Sequence, residues 1–335
     1  MNDMIRFGVI GRNFVVDWMM SAIGACPDAA AAAILSRSAE GAGAFGEKYG
    51  IAPEKRYTDL AALAADPDID AVYVASPNAC HEPQALALLD AGKHVLCEKP
   101  AALSSAAPRR LTQKAEEKGV VFMEAMPSVS MPGTQRIKEL LPQIGKVRRA
   151  SFSFCQYSSR YDKFKAGTVE NAFDPKLGGG SMRDIGIYCA AMAAELFGRP
   201  NRLTAESVIL ENGMDGEGTI LASYGGQMIC ELIYSKISDR PIPSIIEGED
   251  GSITVNSMSR PKKLSLIRRA GAVPKNGDRP GFENGESVDL SDSAVPDMLY
   301  ELEEFISACR AGALPAAAKE RMFTEALFLD AVYGR

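Results

Sequence analysis

A short apolar run over residues 4–10 ends directly at Gly11, and an amphipathic segment over 14–24 follows it. Apolar runs and amphipathic segments then alternate as far as about residue 125, which predicts repeated strand–helix units. We predict further strands at 30–35, 71–75, 94–97 and 120–123, and further helices at 39–49, 83–91 and 108–118. Because strands that alternate with helices form right-handed crossovers, this part is predicted to be an α/β domain with a parallel sheet.

The pattern changes after about residue 127, where most strand-like runs follow one another without a helix between them. We predict strands at 150–157, 203–210, 219–224, 228–234, 253–257 and 264–267, and helices at 136–141, 182–197, 296–311 and 319–333. The turn Tyr224-Gly225-Gly226-Gln227 is typical of a hairpin, and the stretch 270–285 predicts an exposed loop. We therefore predict two domains, an α/β domain at 1–124 and an α+β domain at 125–335 with a large, mostly antiparallel sheet.

The composition argues against several classes of function. A net charge of −6 disfavours nucleic-acid binding, because phosphate contacts need a basic face. The seven cysteines include no CxxC pair and there are only two histidines, so we expect neither a disulfide framework nor a bound metal. No apolar run is long enough to span a bilayer and residues 1–6 show no signal-peptide pattern, so we expect a cytoplasmic protein with no membrane partner.

The turn after the first strand lies where the pyrophosphate of a dinucleotide meets a helix N-terminus. It matches the pattern G-x-G-x-x-G only at Gly11, because Asn13 and Val16 replace the second and third glycines. Asn adopts the left-handed backbone more readily than other non-glycine residues, so we expect Asn13 to substitute for glycine. We predict that Gly11, Asn13 and Phe14 bind a cofactor; an ordinary βα turn is the alternative, since this motif alone is weak.

The predicted second strand ends in Ser36-Arg37-Ser38, with no acidic residue before Glu40. An acidic residue here would bind the ribose hydroxyls of NAD and repel a 2′-phosphate, whereas an arginine flanked by hydroxyls suits that phosphate. We therefore predict that Ser36, Arg37 and Ser38 bind the cofactor and favour NADP over NAD. The alternative is a solvated strand end, where Ser and Arg are common.

Three further motifs follow: Val-Ala-Ser-Pro-Asn-Ala-Cys-His at 74–81, Gly-Lys-His-Val-Leu-Cys-Glu-Lys-Pro at 92–100, and Gly-Gly-Gly-Ser-Met-Arg-Asp-Ile-Gly-Ile-Tyr at 178–188. Together they resemble the glucose-fructose oxidoreductase, inositol dehydrogenase and rhizopine-catabolism (Gfo/Idh/MocA) family, in order and spacing over nearly the whole chain. The resemblance implies a Rossmann domain followed by an open-faced sheet domain, with the active site in the crevice between them.

The resemblance also implies roles for individual residues. Lys99 is expected beside the nicotinamide, and Glu98 and Asn78 at the cofactor's ribose. Asp184 matches the family's active-site aspartate, and Tyr188 replaces the histidine that many members carry as proton donor. Tyrosine there resembles glucose-fructose oxidoreductase and the dimeric dihydrodiol and xylose dehydrogenases. Two residues of the first motif complete the predicted cofactor contacts: Ser76 and His81.

Asp184 and Tyr188 are four residues apart on a predicted helix, so they share a face. Tyr188 can exchange a hydroxyl proton if a cation such as Lys99 stabilises its anion, and Lys99 can alternatively polarise the substrate carbonyl. Structural alternatives stay open. Ser181 and Asp184 fit a capping box, Tyr188 fits a core aromatic, Lys99 fits a solvated strand end, and His81 fits a residue that orients a helix beginning near Pro83.

The segment 156–163 is dense in hydroxyls, aromatics and charges, which suits a polyol or sugar, so we predict that Tyr157, Arg160, Tyr161 and Asp184 bind substrate; a solvated loop is the alternative. The catalytic residues are predicted to be Lys99, Tyr188 and Asp184. We expect an NADP-preferring dehydrogenase or reductase of a sugar, cyclitol or diol. The alternatives are redox-assisted hydrolysis or elimination with tightly held cofactor, and a non-enzymatic regulator. A wide sheet with few covering helices predicts a homodimer or higher homo-oligomer.

Overall fold

The computed structural model describes residues 4–271, 281–291 and 294–334. Its first part contains β1 (Ile5–Ile10), α1 (Phe14–Ala25), β2 (Ala29–Leu35), α2 (Ala39–Tyr49), β3 (Arg56–Tyr57), α3 (Leu60–Ala65), β4 (Ala71–Val74), α4 (Asn78–Asp90), β5 (His94–Glu98), α5 (Ala106–Lys118) and β6 (Phe122–Ala125). There follow α6 (Pro127–Ser130), α7 (Pro132–Leu140), β7 (Val147–Cys155), α8 (Ser159–Lys165), a π-helical segment (Met182–Gly186) and α9 (Ile187–Phe197). The remaining elements are β8 (Arg202–Ile209), β9 (Asp215–Tyr224), β10 (Met228–Ser235), β11 (Ser244–Gly248), β12 (Gly251–Val255), β13 (Lys263–Ala270), β14 (Gly281–Asp289), α10 (Leu299–Ala311) and α11 (Ala316–Tyr333).

The contacts group these residues into two compact units. The first unit comprises 4–127, 176–178 and 294–326, and the second comprises the other described residues. The helix α10, the last but one of the described helices, packs within the first unit, where the ring centroid of Phe305 lies 6.0 Å from that of Phe7 in β1. The predicted domains at 1–124 and 125–335 are consecutive segments and group α10 differently; that boundary stays a prediction.

The first unit is a six-stranded sheet in the order β3-β2-β1-β4-β5-β6, with every neighbouring pair parallel. The strand order reverses between β1 and β4, and crevices at such switch points bind ligands at the carboxyl ends of the strands. The predicted Rossmann topology is therefore confirmed. Burial explains β2, because Ala33 and Ile34 are fully buried and override the helix propensity of its alanines.

Two details of this unit differ from the prediction. The short elements β3 and α3 were not predicted. In addition, α4 begins at Asn78 rather than near Pro83, which lies inside the helix. Pro83 is the sixth residue of α4, beyond the first four N–H groups, so it removes the bond that an N–H there would donate to the carbonyl four positions earlier.

The second unit is built on an eight-stranded sheet in the order β14-β13-β12-β11-β7-β10-β9-β8. Only the β7–β10 pair is parallel, which confirms the mostly antiparallel prediction. The predicted hairpin between β9 and β10 is confirmed, with φ of 60° at Gly225 and 71° at Gly226, values that glycine adopts readily. The exposed loop predicted at 270–285 is wrong at 281–285, which belongs to β14 and pairs with β13; residues 272–280 lie outside the described residues.

The seven cysteines all lie in described segments and form no disulfide. Burial raises the pKa of the thiols of Cys97 in β5, Cys189 in α9 and Cys230 in β10. Within the described residues, no helix combines the length and the apolar character needed to cross a bilayer.

Candidate active site

The predicted cofactor residues follow four neighbouring strands of the first unit. Gly11 follows β1, Ser36 follows β2, Ser76 follows β4 and Lys99 follows β5. Because these strands are parallel neighbours in the order β2-β1-β4-β5, their carboxyl ends share one edge of the sheet. The structure therefore brings these residues to the edge where doubly wound sheets bind ligands.

The turn after β1 depends on a glycine. Gly11 has a φ of 112°, and a Cβ at this position would lie 2.5 Å from the Ala75 carbonyl oxygen. Asn13 does not take the left-handed backbone expected of a glycine substitute, because its φ is −84° and its ψ 174°. It is the N-cap of α1 instead, and its Oδ1 accepts from the amides of Val15 (3.1 Å) and Val16 (3.2 Å). Phe14, the first residue of α1, is 53% exposed and meets Trp18 edge-on.

The turn after β2 gathers hydroxyls and two arginines. Ser38 is the N-cap of α2 and accepts from the Gly41 amide at 3.1 Å, while Ser36 is buried and Arg37 is exposed. The guanidinium of Arg12, from the turn after β1, lies against Gly41. A Cβ on Gly41 would be 2.5 Å from Arg12 Cζ and 2.8 Å from Ser36 Oγ. Arg12 and Arg37 therefore belong to the turns that follow β1 and β2, at one edge of the sheet.

The turn after β4 is held by side chains of α4. Ser76 Oγ donates to Gln84 Oε1 at 2.7 Å, and Asn78 Nδ2 donates to the Gly178 carbonyl at 2.9 Å. His81 is 1% exposed, and its ring nitrogens lie 2.9 Å and 2.8 Å from the carbonyl oxygens of Pro100 and Ser76. Its predicted cofactor contact is therefore corrected. Both nitrogens face backbone inside the protein, so His81 fixes the turn and orients α4.

Lys99 lies near two buried carboxyl groups, those of Glu98 and Glu124. Glu98 accepts from Tyr73 Oη at 2.5 Å and from the Lys99 amide at 3.2 Å, and burial raises the pKa of its carboxyl. Glu124 accepts from the Ala101 amide at 2.7 Å, and burial raises its pKa also. Lys99 is half-buried, so it is not the fully solvated strand end of the alternative interpretation. The predicted ribose contact of Glu98 stays a prediction.

The second unit carries Asp184 in the π-helical segment. Its carboxylate is bonded to Lys236, which directly follows β10 and whose side chain is 6% exposed. The Lys236 ammonium also lies 5.7 Å from the ring centroid of Phe173. The capping-box alternative is wrong, because Ser181 has helical dihedrals, makes no side-chain cap bond, and Asp184 bonds Lys236 instead.

Tyr188 lies in the first turn of α9, half-buried, with its ring centroid 5.8 Å from that of Phe154 in β7. Two positions earlier, Gly186 packs on Tyr234 of β10, where a Cβ would lie 2.8 Å from the ring. The missing side chain lets the π-helical segment lie directly on the sheet. Asp184 and Tyr188 are thus presented by one continuous helical stretch over β7 and β10.

The predicted substrate segment is mostly α8. Tyr157 and Tyr161 meet edge-on at 5.5 Å, and Tyr161 stacks on the buried Phe173 at 6.0 Å. Tyr157 Oη donates to Asp162 and accepts from Lys165, both at 2.7 Å. Arg160 pairs with Glu170 at 3.1 Å. Phe173 therefore connects Tyr161 with Lys236 and Asp184, whereas the polar groups of Tyr157 and Arg160 bond to neighbouring surface residues.

Two residues of these sites were not predicted. Arg12 stands in a turn that was interpreted for its glycine pattern alone, and an arginine one position from Gly11 was the available signal. Lys236 gave no local signal, because its partner Asp184 is 52 positions away in the sequence. Both are cations placed among predicted site residues.

The sheet order, the glycine turn at a switch point and the helix with an acid and a tyrosine define a dinucleotide-binding oxidoreductase with a second, open-sheet unit. Residues 5–126 match the model of the oxidoreductase family with an NAD-binding Rossmann fold, and residues 134–254 match the C-terminal domain model of the same family. The chain belongs to the Gfo/Idh/MocA oxidoreductase family.

Individual relatives agree with this assignment. The chain is 40% identical to the scyllo-inositol 2-dehydrogenase (NADP(+)) IolU of Bacillus subtilis, over 98% of this chain and 95% of the relative. It is 34% identical to the trans-1,2-dihydrobenzene-1,2-diol dehydrogenase of Xenopus laevis, over 88% and 87%. Levoglucosan dehydrogenase, solved with NADH and levoglucosan, has the same fold, with a TM-score of 0.84 at 21% identity over 99% of this chain and 97% of that one.

Proposed function

We propose that this protein is an NADP-dependent dehydrogenase that oxidises a ring hydroxyl of a cyclitol, sugar or related diol to a ketone. The observation that carries the proposal is the combination of Asp184 bonded to Lys236 with Tyr188 four residues later. Mere cofactor binding needs no proton donor, so this combination speaks against a regulator. The relatives that act on inositol and on a diol support the substrate class.

The first unit fits a dinucleotide. Gly11 leaves open a cradle that any Cβ would close, and α1 begins at that point. Arg12 and Arg37 with Ser36 and Ser38 provide cations and hydroxyls for a 2′-phosphate. A dinucleotide held by these residues would supply the hydride acceptor for the oxidation of the substrate carbon. We propose that these four residues select NADP over NAD; the name of the Bacillus subtilis relative includes NADP(+), which supports NADP as cofactor.

The side chains of the second unit supply proton transfer and orientation. Tyr188 exchanges the proton of the reacting hydroxyl, as a phenolate base in the oxidation and as a phenol donor in the reverse reduction, and Asp184 accepts a hydrogen bond from a neighbouring hydroxyl. Lys236 orients the Asp184 carboxylate, because its buried ammonium forms an ion pair with that group. Lys99 lies at the cofactor edge of its own unit and is assigned, from the family resemblance, to the nicotinamide region.

The decisive experiment measures turnover with scyllo-inositol, myo-inositol, glucose and a cyclohexanediol as probes, each with NADP⁺ and with NAD⁺. We expect steady formation of reduced cofactor with at least one cyclitol or sugar. Tyr188→Phe should lower kcat by roughly 10²- to 10⁴-fold while the cofactor still binds. No reduced cofactor with any probe, or an unchanged kcat for Tyr188→Phe on the active probe, would contradict the proposal.

Cofactor preference has its own test. Trp18, the only tryptophan of the chain, packs on Phe14 beside the predicted pyrophosphate turn, so its fluorescence reports binding without turnover. We expect a lower Kd for NADP than for NAD. Arg37→Ala and Arg12→Ala should each weaken NADP about tenfold, the size of one charge-assisted hydrogen bond, and leave NAD nearly unchanged. Equal Kd values in the parent protein would remove the preference.

We further propose a cytoplasmic homodimer or higher homo-oligomer that forms through the open face of the eight-stranded sheet. Val208, Leu221, Ile229 and Ile233 share the face opposite the buried residues of β8, β9 and β10, and the first two are well exposed. Leu221→Glu should convert the dimer to monomer in light scattering, whereas Val169→Glu, also exposed but outside the sheet, should not. A monomeric parent at micromolar concentration would contradict this assembly.

A further inference from the structure

The last turn of α11 is bonded to the start of the π-helical segment through one buried carboxylate. Asp215, the first residue of β9, is 1% exposed. Its Oδ1 accepts from Tyr333 Oη at 2.6 Å and its Oδ2 accepts from the Met182 amide at 2.7 Å. A residue 118 positions from Tyr333 thus ties the end of α11 to the first residue of the segment that carries Asp184.

The fit around Tyr333 is close on both sides of Met182. Gly180 has a φ of 146°, and a Cβ there would collide with Tyr333 Oη and lie 2.6 Å from Asp215 Oδ1. On the other side, Arg183 Cζ lies 3.8 Å from the centroid of the Tyr333 ring. Tyr333 is therefore clamped between the two residues that flank Ser181 and Met182, and its hydroxyl is aimed at the carboxylate.

The charges of the pair suit this role. Burial raises the pKa of Asp215, and the hydrogen bonds from Tyr333 and Met182 oppose that rise. Burial also raises the pKa of Tyr333, so its hydroxyl keeps its proton and remains a donor. Arg183, stacked on the ring, is the nearby cation that also favours the ionised carboxylate.

We propose that Tyr333 and Asp215 are positioning residues, which hold the π-helical segment in the register that aims Asp184 at Lys236. A π-helical turn contains one residue more than an α-helix provides for, and such turns are rare and are found frequently at functional sites. If the segment relaxed to α-helix while α9 stayed in place, residues of the segment would rotate by about 100° per displaced position. Asp184 would then leave Lys236, and Tyr188 would keep its place in α9.

This inference rests on the proposed function for its catalytic consequence, but its structural part is testable in the protein alone. Hydrogen exchange is measured for 182–186 in the parent, in Tyr333→Phe and in Tyr49→Phe, without substrate or cofactor. Tyr49→Phe is the matched control, because Tyr49 Oη donates to Asp17 at 2.5 Å in the other unit. We expect about tenfold faster exchange in Tyr333→Phe and no change in the control. Equal exchange in all three proteins would overturn the proposal and leave the proposed function intact.

The catalytic part is tested by a double-mutant cycle on the active probe. Tyr333→Phe should lower kcat about tenfold with the Kd for NADP unchanged. Asp215→Asn should do the same, because an asparagine side chain has only one oxygen that can accept a hydrogen bond. In an Asp184→Asn background the Tyr333→Phe change should cause no further loss, since it acts through Asp184. Fold-losses that multiply independently would overturn the positioning role. Absence of turnover in the parent would instead count against the proposed function, and hydrogen exchange would still decide the inference.

Discussion

Lys236 and Asp184 form an ion pair whose two partners differ in exposure: the lysine side chain is 6% exposed and the aspartate side chain 33%. A buried charge that loses its partner cannot be solvated, whereas an exposed one can. Removal of one partner is therefore expected to change the free energy of unfolding by a different amount than removal of the other. The buried Lys236 ammonium needs its partner more than the Asp184 carboxylate does, because the carboxylate can be solvated.

The first prediction follows from this asymmetry. Asp184→Asn should lower the free energy of unfolding by about 1–3 kcal/mol, because the Lys236 ammonium is left without its carboxylate. Lys236→Met should cost less, because Asp184 reaches solvent and the methionine retains packing on Phe173. Urea unfolding of both variants measures the difference. A larger loss in Lys236→Met would mean that Asp184 is the more buried charge in solution.

The second prediction concerns the catalytic value of Lys236. Lys236→Met should lower kcat/KM by roughly 10²-fold, because a preorganised charge next to the reacting groups is lost. Lys163→Met is the control, since Lys163 is exposed and pairs with Glu170. Steady-state kinetics on the active probe compares the two. If both variants keep the parent's kcat/KM, Lys236 has no part in the reaction.

The third prediction uses two glycines of α2. Gly41→Ala places a methyl group where the Arg12 guanidinium now lies and should push it away, whereas a Cβ at Gly43 meets nothing within 4 Å. We expect Gly41→Ala to weaken NADP about tenfold with little effect on NAD. Gly43→Ala should leave both Kd values unchanged and stabilise the helix by roughly 0.5–1 kcal/mol. Fluorescence titration and thermal melting give the two readouts, and equal NADP affinity in the two variants would exclude Arg12 from the phosphate site.

The fourth prediction concerns pH. Burial raises the pKa of the Glu325 carboxyl in α11. Its Oε2 lies 3.6 Å from Arg321 Nη1. A carboxyl whose pKa is higher in the folded state stabilises the fold below its unfolded value of 4.5, and this contribution is lost as the pH rises through the raised value. Glutamine mimics the protonated form, so Glu325→Gln should raise the melting temperature more at pH 8 than at pH 5. Glu320→Gln, exposed on the same helix, should not. If the melting temperatures of Glu325→Gln and the parent differ by the same amount at pH 5 and pH 8, the pKa of Glu325 is not raised in the folded protein.

The elements that the sequence predicted well are those with a strong local pattern. The helix predicted at 39–49 is found as α2 with the same bounds, because Ser38 caps it and Gly50, at a φ of 70°, ends it. By contrast, β3 has two residues and carries no periodicity. The strand β14 was missed because Phe282 to Gly285 is largely exposed and resembles a loop in composition.

Candidate site residues could be proposed from the sequence where residue types and spacing are local, but not where the fold joins distant segments. The family motifs supplied Lys99, Asp184 and Tyr188. Nothing in the motif at 178–188 distinguishes a π-helical turn from an α-helical one, because the difference is made by Asp215 and Tyr234 from other strands. The left-handed backbone expected of Asn13 is wrong for a related reason, since a helix cap and a glycine substitute favour the same residue type.

The buried thiols allow the opening of each compact unit to be followed separately. Cys97 and Cys189 are inaccessible and protonated while folded, and they lie in different compact units. An alkylating reagent attacks the thiolate, so each cysteine becomes reactive only when its surroundings open. The order in which the two are labelled during a denaturant pulse therefore reports which half of the chain opens first, with no added probe.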